Sequence, residues 1–499
     1  MNALSRILAW PPAANDDVPL ALWDADALAE ATGGEPSALF AVSGIEIDSR
    51  DVVAGDLFFA LKGETTDGHR FVDMAMAKGG AAAVTDRAVA GAHVQVADTT
   101  AALVALGRAS RQRSQAVIIG VTGSVGKTGV KEALFAALDR ASRGPGGFGA
   151  HRSLKSYNNH VGVPLSLARM PARSKFGIFE MGMNHAGEIA ALTRQVRPHI
   201  AVITAIAPAH IENLGSEEAI ADAKGEIFEG LEASDGTPGG TAIIPADSPH
   251  FARLKAKAER HGAKVVCFGR ADHADVRLLD AVPAADGGSL VTADMGDRRL
   301  CYTVAEPGDH WVINSLAVIA AVRAAGGDLG AAGLALAEMT GLAGRGARIE
   351  IAAEGGPALL IDESYNANPA SMRATLAQLG RTPARRRIAV LGAMKELGSH
   401  GPGYHAALAG PIIEAGVDYA ILVGDEMADL AKELGAGELG KAGGDALGKT
   451  LPHAHCQSMA EAQAALQAYG LQRGDAILVK GSNSVGLGAL VAALSGKQG

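Results

Sequence analysis

Apolar runs of strand length recur along the chain, at 116–121, 176–179, 200–206, 265–268, 387–391, 419–423 and 476–479. They are continuous rather than alternating, which predicts strands covered on both faces, as in parallel sheets. Most are followed by Gly-rich turns and helical patterns, so the middle and end of the chain read as doubly wound α/β units. Residues 1 to about 112 have another pattern: mixed alternation around 45–47 and 56–61, then a helical stretch over 101–113. That predicts a separate small α/β domain. A second boundary falls near Gly341–Gly346, where two helix-like runs, the first at 314–325, give way to a strand-like segment. The expected organisation is three α/β domains, 1–112, 113–340 and 341–499. The central one is a parallel-sheet domain and the last is Rossmann-like. The glycine-rich 143–150 stretch reads as a flexible loop, and no internal repeat is visible.

Composition narrows the class. The 499 residues exceed one ordinary core, and 48% hydrophobic residues with 64 glycines suit a globular protein rich in tight turns. A formal net charge of -9 argues against a nucleic-acid partner, which would need a clustered basic excess. The three cysteines, Cys267, Cys301 and Cys456, lie far apart without metal-ligand spacing, so a reducing cytoplasm is expected. The N-terminal apolar patch is broken by Pro11 and Pro12 and is too brief for a signal peptide. No uninterrupted apolar stretch reaches the roughly 18 residues of a membrane span.

The chemistry starts after the strand ending near Val121, with Thr122-Gly123-Ser124-Val125-Gly126-Lys127-Thr128 and then a helical pattern over 131–138. Glycines there let backbone N–H groups turn toward phosphate oxygens, and the helix N-terminus adds its positive end. Lys127 can reach the terminal phosphates and Thr128 can ligate Mg²⁺. This is the pattern of an ATP site. In the general phosphate-loop pattern the first glycine would stand at position 121, which is Val121 here, with Gly123 two residues later. Farther on, Ile220, Ile227, Phe228 and Leu231 share one face of a helix-like run over 220–231, and Lys224 lies on that face. Such a lysine either snorkels past the core edge or, partly buried, has a lowered pKa and supplies a neutral amine able to capture CO₂.

The shortened T-G-S-x-G-K-T form resembles that of the Mur ligases and folylpolyglutamate synthases. Other segments resemble Mur ligase motifs over nearly the whole chain: Asn158-Asn159-His160-Val161-Gly162-Val163-Pro164, the stretch from Glu180 to Ile189, Ile206 to His210, Gly308 to Asn314, and Gly344-Arg345-Gly346. The resemblance implies Glu180 and His210 as metal ligands, with two Mg²⁺ ions, and Lys224 as a carbamate. It also implies Asn314 against adenine, Arg345 near the ATP phosphates and Asp362 on ribose. Magnesium by itself prefers oxygen ligands, so His210 owes its place to the resemblance.

Two segments choose among relatives. Tyr365-Asn366-Ala367-Asn368-Pro369-Ala370-Ser371-Met372 resembles the segment of members that add D-alanyl-D-alanine to a UDP-linked muramoyl tripeptide. Asp48-Ser49-Arg50, the stretch from Gly55 to Gly63 and Asp67-Gly68-His69 resemble the family's UDP-muramoyl-binding domain, which folylpolyglutamate synthases lack. Ser49, Arg50, Lys62 and His69 offer the donors a uridine diphosphate needs, though each also suits a salt-bridged surface turn. Asn158, Asn159, Tyr365, Asn366 and Asn368 complete the expected substrate contacts. Lys480-Gly481-Ser482-Asn483 resembles a family K-G-S-R signature but has Asn483 for the arginine. A monomer is the family expectation. The rival readings are the diamino-acid-adding ligase, a P-loop kinase and a nucleotide-gated binding protein.

Overall fold

A computed structural model describes residues 21–63, 65–143, 148–209, 211–233, 239–284, 287–436 and 450–496. The first sheet runs Glu35–Pro36, His93–Gln95, Ala82–Thr85, Asp56–Phe59, Gly44–Glu46, with the last four strands parallel. Asp56–Phe59 is buried along its whole length, as a strand covered on both faces must be. The helix Thr99–Arg113 closes this unit. Its N-cap Asp98 accepts from the Thr100 and Ala101 amides at 2.7 and 2.9 Å, satisfying donors that a helix start leaves free.

The second sheet has nine strands in the order Arg299–Val304, Ser289–Asp294, Val276–Pro283, Lys264–Gly269, Thr241–Pro245, Ile200–Ile203, Val117–Thr122, Phe176–Glu180, Ala150–Arg152. It is parallel from Val276–Pro283 to Ala150–Arg152 and ends in an antiparallel meander at its other edge. The third sheet runs Ala347–Ala353, Gly356–Glu363, Ala476–Lys480, Arg387–Gly392, Tyr419–Val423, His453–Cys456, parallel except for its first pair. The architecture is three α/β units built on parallel sheets. Each of the predicted apolar runs is found within or overlapping a strand.

Three local readings change. The run over 220–231 is not one helix: Glu217–Gly225 is α-helical and Glu226–Gly230 tightens to a 3-10 turn. The Glu226 carboxylate accepts from the Gly187 and Ala190 amides at 2.7 and 3.1 Å, at the start of the helix Glu188–Val196. That cap draws the chain out of α geometry. The short strand Thr241–Pro245 has no counterpart among the predicted runs, because it is brief and ends on proline. In the glycine-rich loop, residues 144–147 lie outside the described residues, while Ala150 opens the edge strand of the central sheet. Among the described residues no helix is long and apolar enough to cross a membrane.

Candidate active site

The loop Thr122–Thr128 leaves the C-terminal end of Val117–Thr122, between Ile200–Ile203 and Phe176–Glu180, and enters the helix Lys127–Ser142. Ligands of open α/β sheets bind at such strand ends. Gly123 sits at φ +151, and a Cβ there would lie 1.9 Å from Thr204 Oγ1, so only glycine fits. Gly126 sits at φ +87 with the Asn314 amide nitrogen 2.8 Å from where its Cβ would be. Asn314, 188 positions away in sequence, therefore lies directly on the loop. Ser124 Oγ donates to Ala207 O at 2.8 Å and accepts from Ala207 N at 3.0 Å, stitching the loop to the segment that follows Ile200–Ile203. Val125 accepts at its carbonyl from Thr204 Oγ1 at 2.5 Å. Thr122 Oγ1 is buried without a hydrogen-bond partner among the described residues.

Lys127 folds back over the loop and donates to Gly123 O at 2.8 Å. Burial lowers its pKa, the Glu180 carboxylate opposes that and Arg345 reinforces it. Thr128 Oγ1 donates to Glu180 Oε2 at 2.8 Å, and Asn158 Nδ2 donates to Glu180 Oε1 at 2.8 Å. Glu180 is fully buried. Burial pushes its carboxyl up, but Lys131, Lys127, Arg345 and the Asn158 amide together hold it below the ordinary range. A hydroxyl and an ionised carboxylate side by side at a phosphate loop suit Mg²⁺, which takes few protein oxygens and completes its shell with water and phosphate. Among the described residues no three His, Cys, Asp or Glu side chains converge on one point, and this ion needs no such cage.

Lys224 is 1% exposed, and its ammonium makes no hydrogen bond among the described residues. Burial drives its pKa far down, with the nearby charge of Lys127 adding to the effect. That is the direction in which a buried lysine becomes a better CO₂-capturing amine. His210 lies outside the described residues.

The C-terminal unit reaches this site through Arg345, whose Nη2 donates to Ser156 Oγ at 3.0 Å and whose guanidinium lies 4.3 Å above the Tyr365 ring. Ser156 Oγ is in turn 3.5 Å from Thr128 Oγ1. Asp362 is buried and accepts from Gly344 N at 2.6 Å and from Ser364 Oγ at 2.6 Å, so here it shapes the turn that carries Arg345. Asn368 caps the helix Pro369–Arg381 through Ser371 N at 2.9 Å. Asn159 likewise accepts from Gly162 N at 2.9 Å, and Asn366 Oδ1 accepts from Ala367 N at 2.9 Å.

In the first unit Ser49, Arg50, Lys62 and His69 follow the C-terminal ends of the parallel strands Gly44–Glu46 and Asp56–Phe59. Arg50 is exposed and pairs with Asp48 at 2.6 Å, while Ser49 is buried. Lys62 pairs with Asp86, and His69 lies between Asp67 Oδ1 at 2.6 Å and the Asp86 amide at 3.1 Å. Lys62 and His69 thus converge on the Asp86 turn.

Three contributors escaped the sequence reading. Lys131, 0% exposed, lies 4.0 Å from Glu180 Oε2; its spacing of four from Lys127 was the available signal. Ser156 carried no signal. Lys480 is buried and donates to Glu363 Oε2 at 3.3 Å and Asn366 O at 3.0 Å, a role the divergent 480–483 segment did not disclose.

Parallel sheets in three units, a phosphate loop on the central one and an arginine delivered from the third define a nucleotide-dependent ligase assembled from separate α/β domains. Models of the Mur ligase family match residues 41–117 (catalytic domain), 121–322 (middle domain) and 347–483 (glutamate ligase domain). The chain belongs to the Mur ligase family and is an ATP-dependent peptide ligase. It is 36% identical over 467 residues to the UDP-N-acetylmuramoyl-tripeptide--D-alanyl-D-alanine ligase of Synechocystis sp., spanning 91% of this chain and 92% of that one. The enzyme of the same name from Escherichia coli is 32% identical over 79% of this chain and 84% of its own. The crystal structure of MurF from Acinetobacter baumannii superposes with a TM-score of 0.78 at 30% identity, covering 96% of this chain and all of that one. MurF ligase from Thermotoga maritima in complex with ADP, at 24% identity and TM-score 0.70, shares the fold over 91% of this chain and 97% of that one.

Proposed function

We propose that this chain joins D-alanyl-D-alanine to a UDP-N-acetylmuramoyl tripeptide at the expense of ATP, by way of an acyl phosphate on the tripeptide's terminal carboxylate. The observation that carries the reading is the junction of Lys127, Thr128–Glu180 and Arg345 at one loop, in a chain whose relatives bear that ligase name. A carboxylate and an amine do not condense at neutral pH, so the carboxylate is first phosphorylated, ADP departs, the amine attacks and phosphate leaves. Two anions must approach each other in the first step. Lys127 and Arg345 supply the positive charge that offsets their repulsion, and Lys127 can exchange its bond to Gly123 O for a phosphate oxygen. Thr128 and Glu180 would hold a magnesium ion, with His210 and a carbamylated Lys224 for a second; bound there, the metal neutralises developing phosphate charge.

On this reading residues 1–112 bind the UDP moiety through Ser49, Arg50, Lys62 and His69. Residues 113–340 bind ATP through Thr122 to Thr128 and Asn314, with Asn158 and Asn159 toward the muramoyl peptide. Residues 341–499 bring Arg345, Asp362 and the dipeptide contacts Tyr365, Asn366 and Asn368. The protein acts as a cytoplasmic monomer, without nucleic-acid or membrane partners. The test is ADP release by the purified protein given UDP-tripeptides ending in meso-diaminopimelate or L-lysine, with and without D-alanyl-D-alanine. Release should require both substrates and fall about 100-fold or more in Lys127→Ala. Equal release from the variant, or release that follows a free diamino acid instead of the dipeptide, would overturn the assignment.

A further inference from the structure

Lys131 is one of the largest fully buried side chains, an unusual place for an ammonium. It stands one helical turn beyond Lys127 and donates to two backbone carbonyls, Ser153 O at 2.8 Å and Lys155 O at 2.6 Å. Its remaining neighbours are Glu132 Oε1 at 3.1 Å and Glu180 Oε2 at 4.0 Å. A buried cation is retained where hydrogen bonds and opposite charge replace its water, and here both do.

The segment that Lys131 holds is itself unusual. Lys155 adopts a left-handed backbone, φ +50, which a residue with a side chain seldom does. That conformation lets its carbonyl accept from Lys131 while its own ammonium reaches Asp51 Oδ2 of the first unit at 3.0 Å. The next residue, Ser156, accepts from Arg345 of the third unit. Two residues on, Asn158 donates to Glu180 and its carbonyl accepts from Gly182 N at 2.8 Å. Within six residues the chain touches all three units and the carboxylate of the phosphate site. The pair with Asp51 is exposed and adds little stability. Its contribution is to register.

We propose that Lys131 is a positioning residue for the ligation reaction: it anchors residues 153–158 so that the UDP-binding and C-terminal units are both held in register with the phosphate loop. This rests on the functional reading above. A displacement of about 1 Å at such a junction can cost 100-fold in rate without loss of binding.

The experiment uses the full-length protein with Lys131→Met, which keeps the length and removes the charge and donors, and Ser156→Ala, which removes the Arg345 contact but leaves the Lys131 ammonium and its carbonyl partners in place. Amide hydrogen exchange, titration with a fluorescent ATP analogue and steady-state ADP release are measured on each. Lys131→Met should speed exchange over 153–159 while the helix Lys127–Ser142 keeps its protection, hold nucleotide affinity within about twofold and lower kcat about 100-fold. Ser156→Ala should lower kcat about tenfold alone and change it little in the Lys131→Met background, because both act through one segment. Unchanged exchange over 153–159, a parallel fall in nucleotide affinity and thermal midpoint, or additive effects would overturn the proposal. If Lys131→Met does not fold, Ser156→Ala alone decides: kcat lost with nucleotide affinity kept supports it, and wild-type kcat overturns it. A wild-type protein that releases no ADP with both substrates would sink the functional reading instead, and exchange over 153–159 would still decide the role of Lys131.

Discussion

At the scale of single residues, the strongest perturbations are buried charges whose partners come from distant parts of the chain. Glu180 stays ionised in a fully buried position because Lys131, Lys127, Arg345 and Asn158 surround it. Glu306 is the opposite case. It is 6% exposed, and burial, followed by repulsion from Glu363, pushes its carboxyl up to about 7, with Arg348 opposing. Both carboxylates line Gly346, where a Cβ would lie 3.4 Å from Glu306 and 3.6 Å from Glu363. A raised carboxyl pKa means that the folded protein holds the proton more tightly than the unfolded chain. The associated stability is therefore present at low pH and lost as pH rises from the ordinary 4.5 to about 7. Glu306→Gln should raise the thermal midpoint at pH 8 by about 2 °C or more and leave it nearly unchanged at pH 5, measured by calorimetry. An equal shift at both pH values would contradict this. Nothing in the sequence around Glu306 marks it, because the second carboxylate is 57 positions away.

At the scale of elements, the phosphate loop was legible in full: its glycines, lysine and threonine follow a strand and open a helix as the motif requires. What could not be read is why Gly123 must be glycine. Positive φ is one reason and the Thr204 hydroxyl is the other. The two separate experimentally, since Gly187 is also at positive φ, +88, with nothing within 4 Å of its missing Cβ. Gly187→Ala should cost only the backbone strain, about 1 kcal/mol. Gly123→Ala should cost clearly more and abolish nucleotide binding, as denaturant titration and ATP-analogue fluorescence would report. Equal losses at the two positions would mean that the contact with Thr204 is easily relieved. The helix-like run over 220–231 shows the reverse limit. Its apolar period is correct, and Ile220, Ile227 and Phe228 are buried, but Glu226 leaves the helix to cap a neighbour that periodicity cannot reveal.

At the scale of the whole molecule, the unit boundaries near 112 and near 341 are each bridged by specific contacts. The joint at 112 is tight: Gly107 abuts Pro164, where a Cβ would lie 2.9 Å from its carbonyl, and Arg111 donates to Val196 O and Arg197 O at 2.9 Å each. Contact of the third unit with the central one includes Arg345 on Ser156 and the Glu212 amide on Glu396 O at 3.3 Å. Closure on substrate binding is expected about the joint near 341, because it is the third unit that carries Arg345 to the phosphate loop. Fluorophore pairs across the third and central units should change distance on adding nucleotide and UDP-tripeptide, while pairs across the first and central units should not; the reverse pattern would place the hinge at 112. The sequence by itself determined the three α/β units, the phosphate loop and the class of chemistry, because strand burial and loop motifs are written in contiguous residues. The tertiary structure alone decided which charges meet. The pairing of Lys131 with Glu180, of Arg345 with Ser156 and of Asn314 with Gly126 depends on how sheets and crossovers stack, and that stacking leaves no local pattern in the chain.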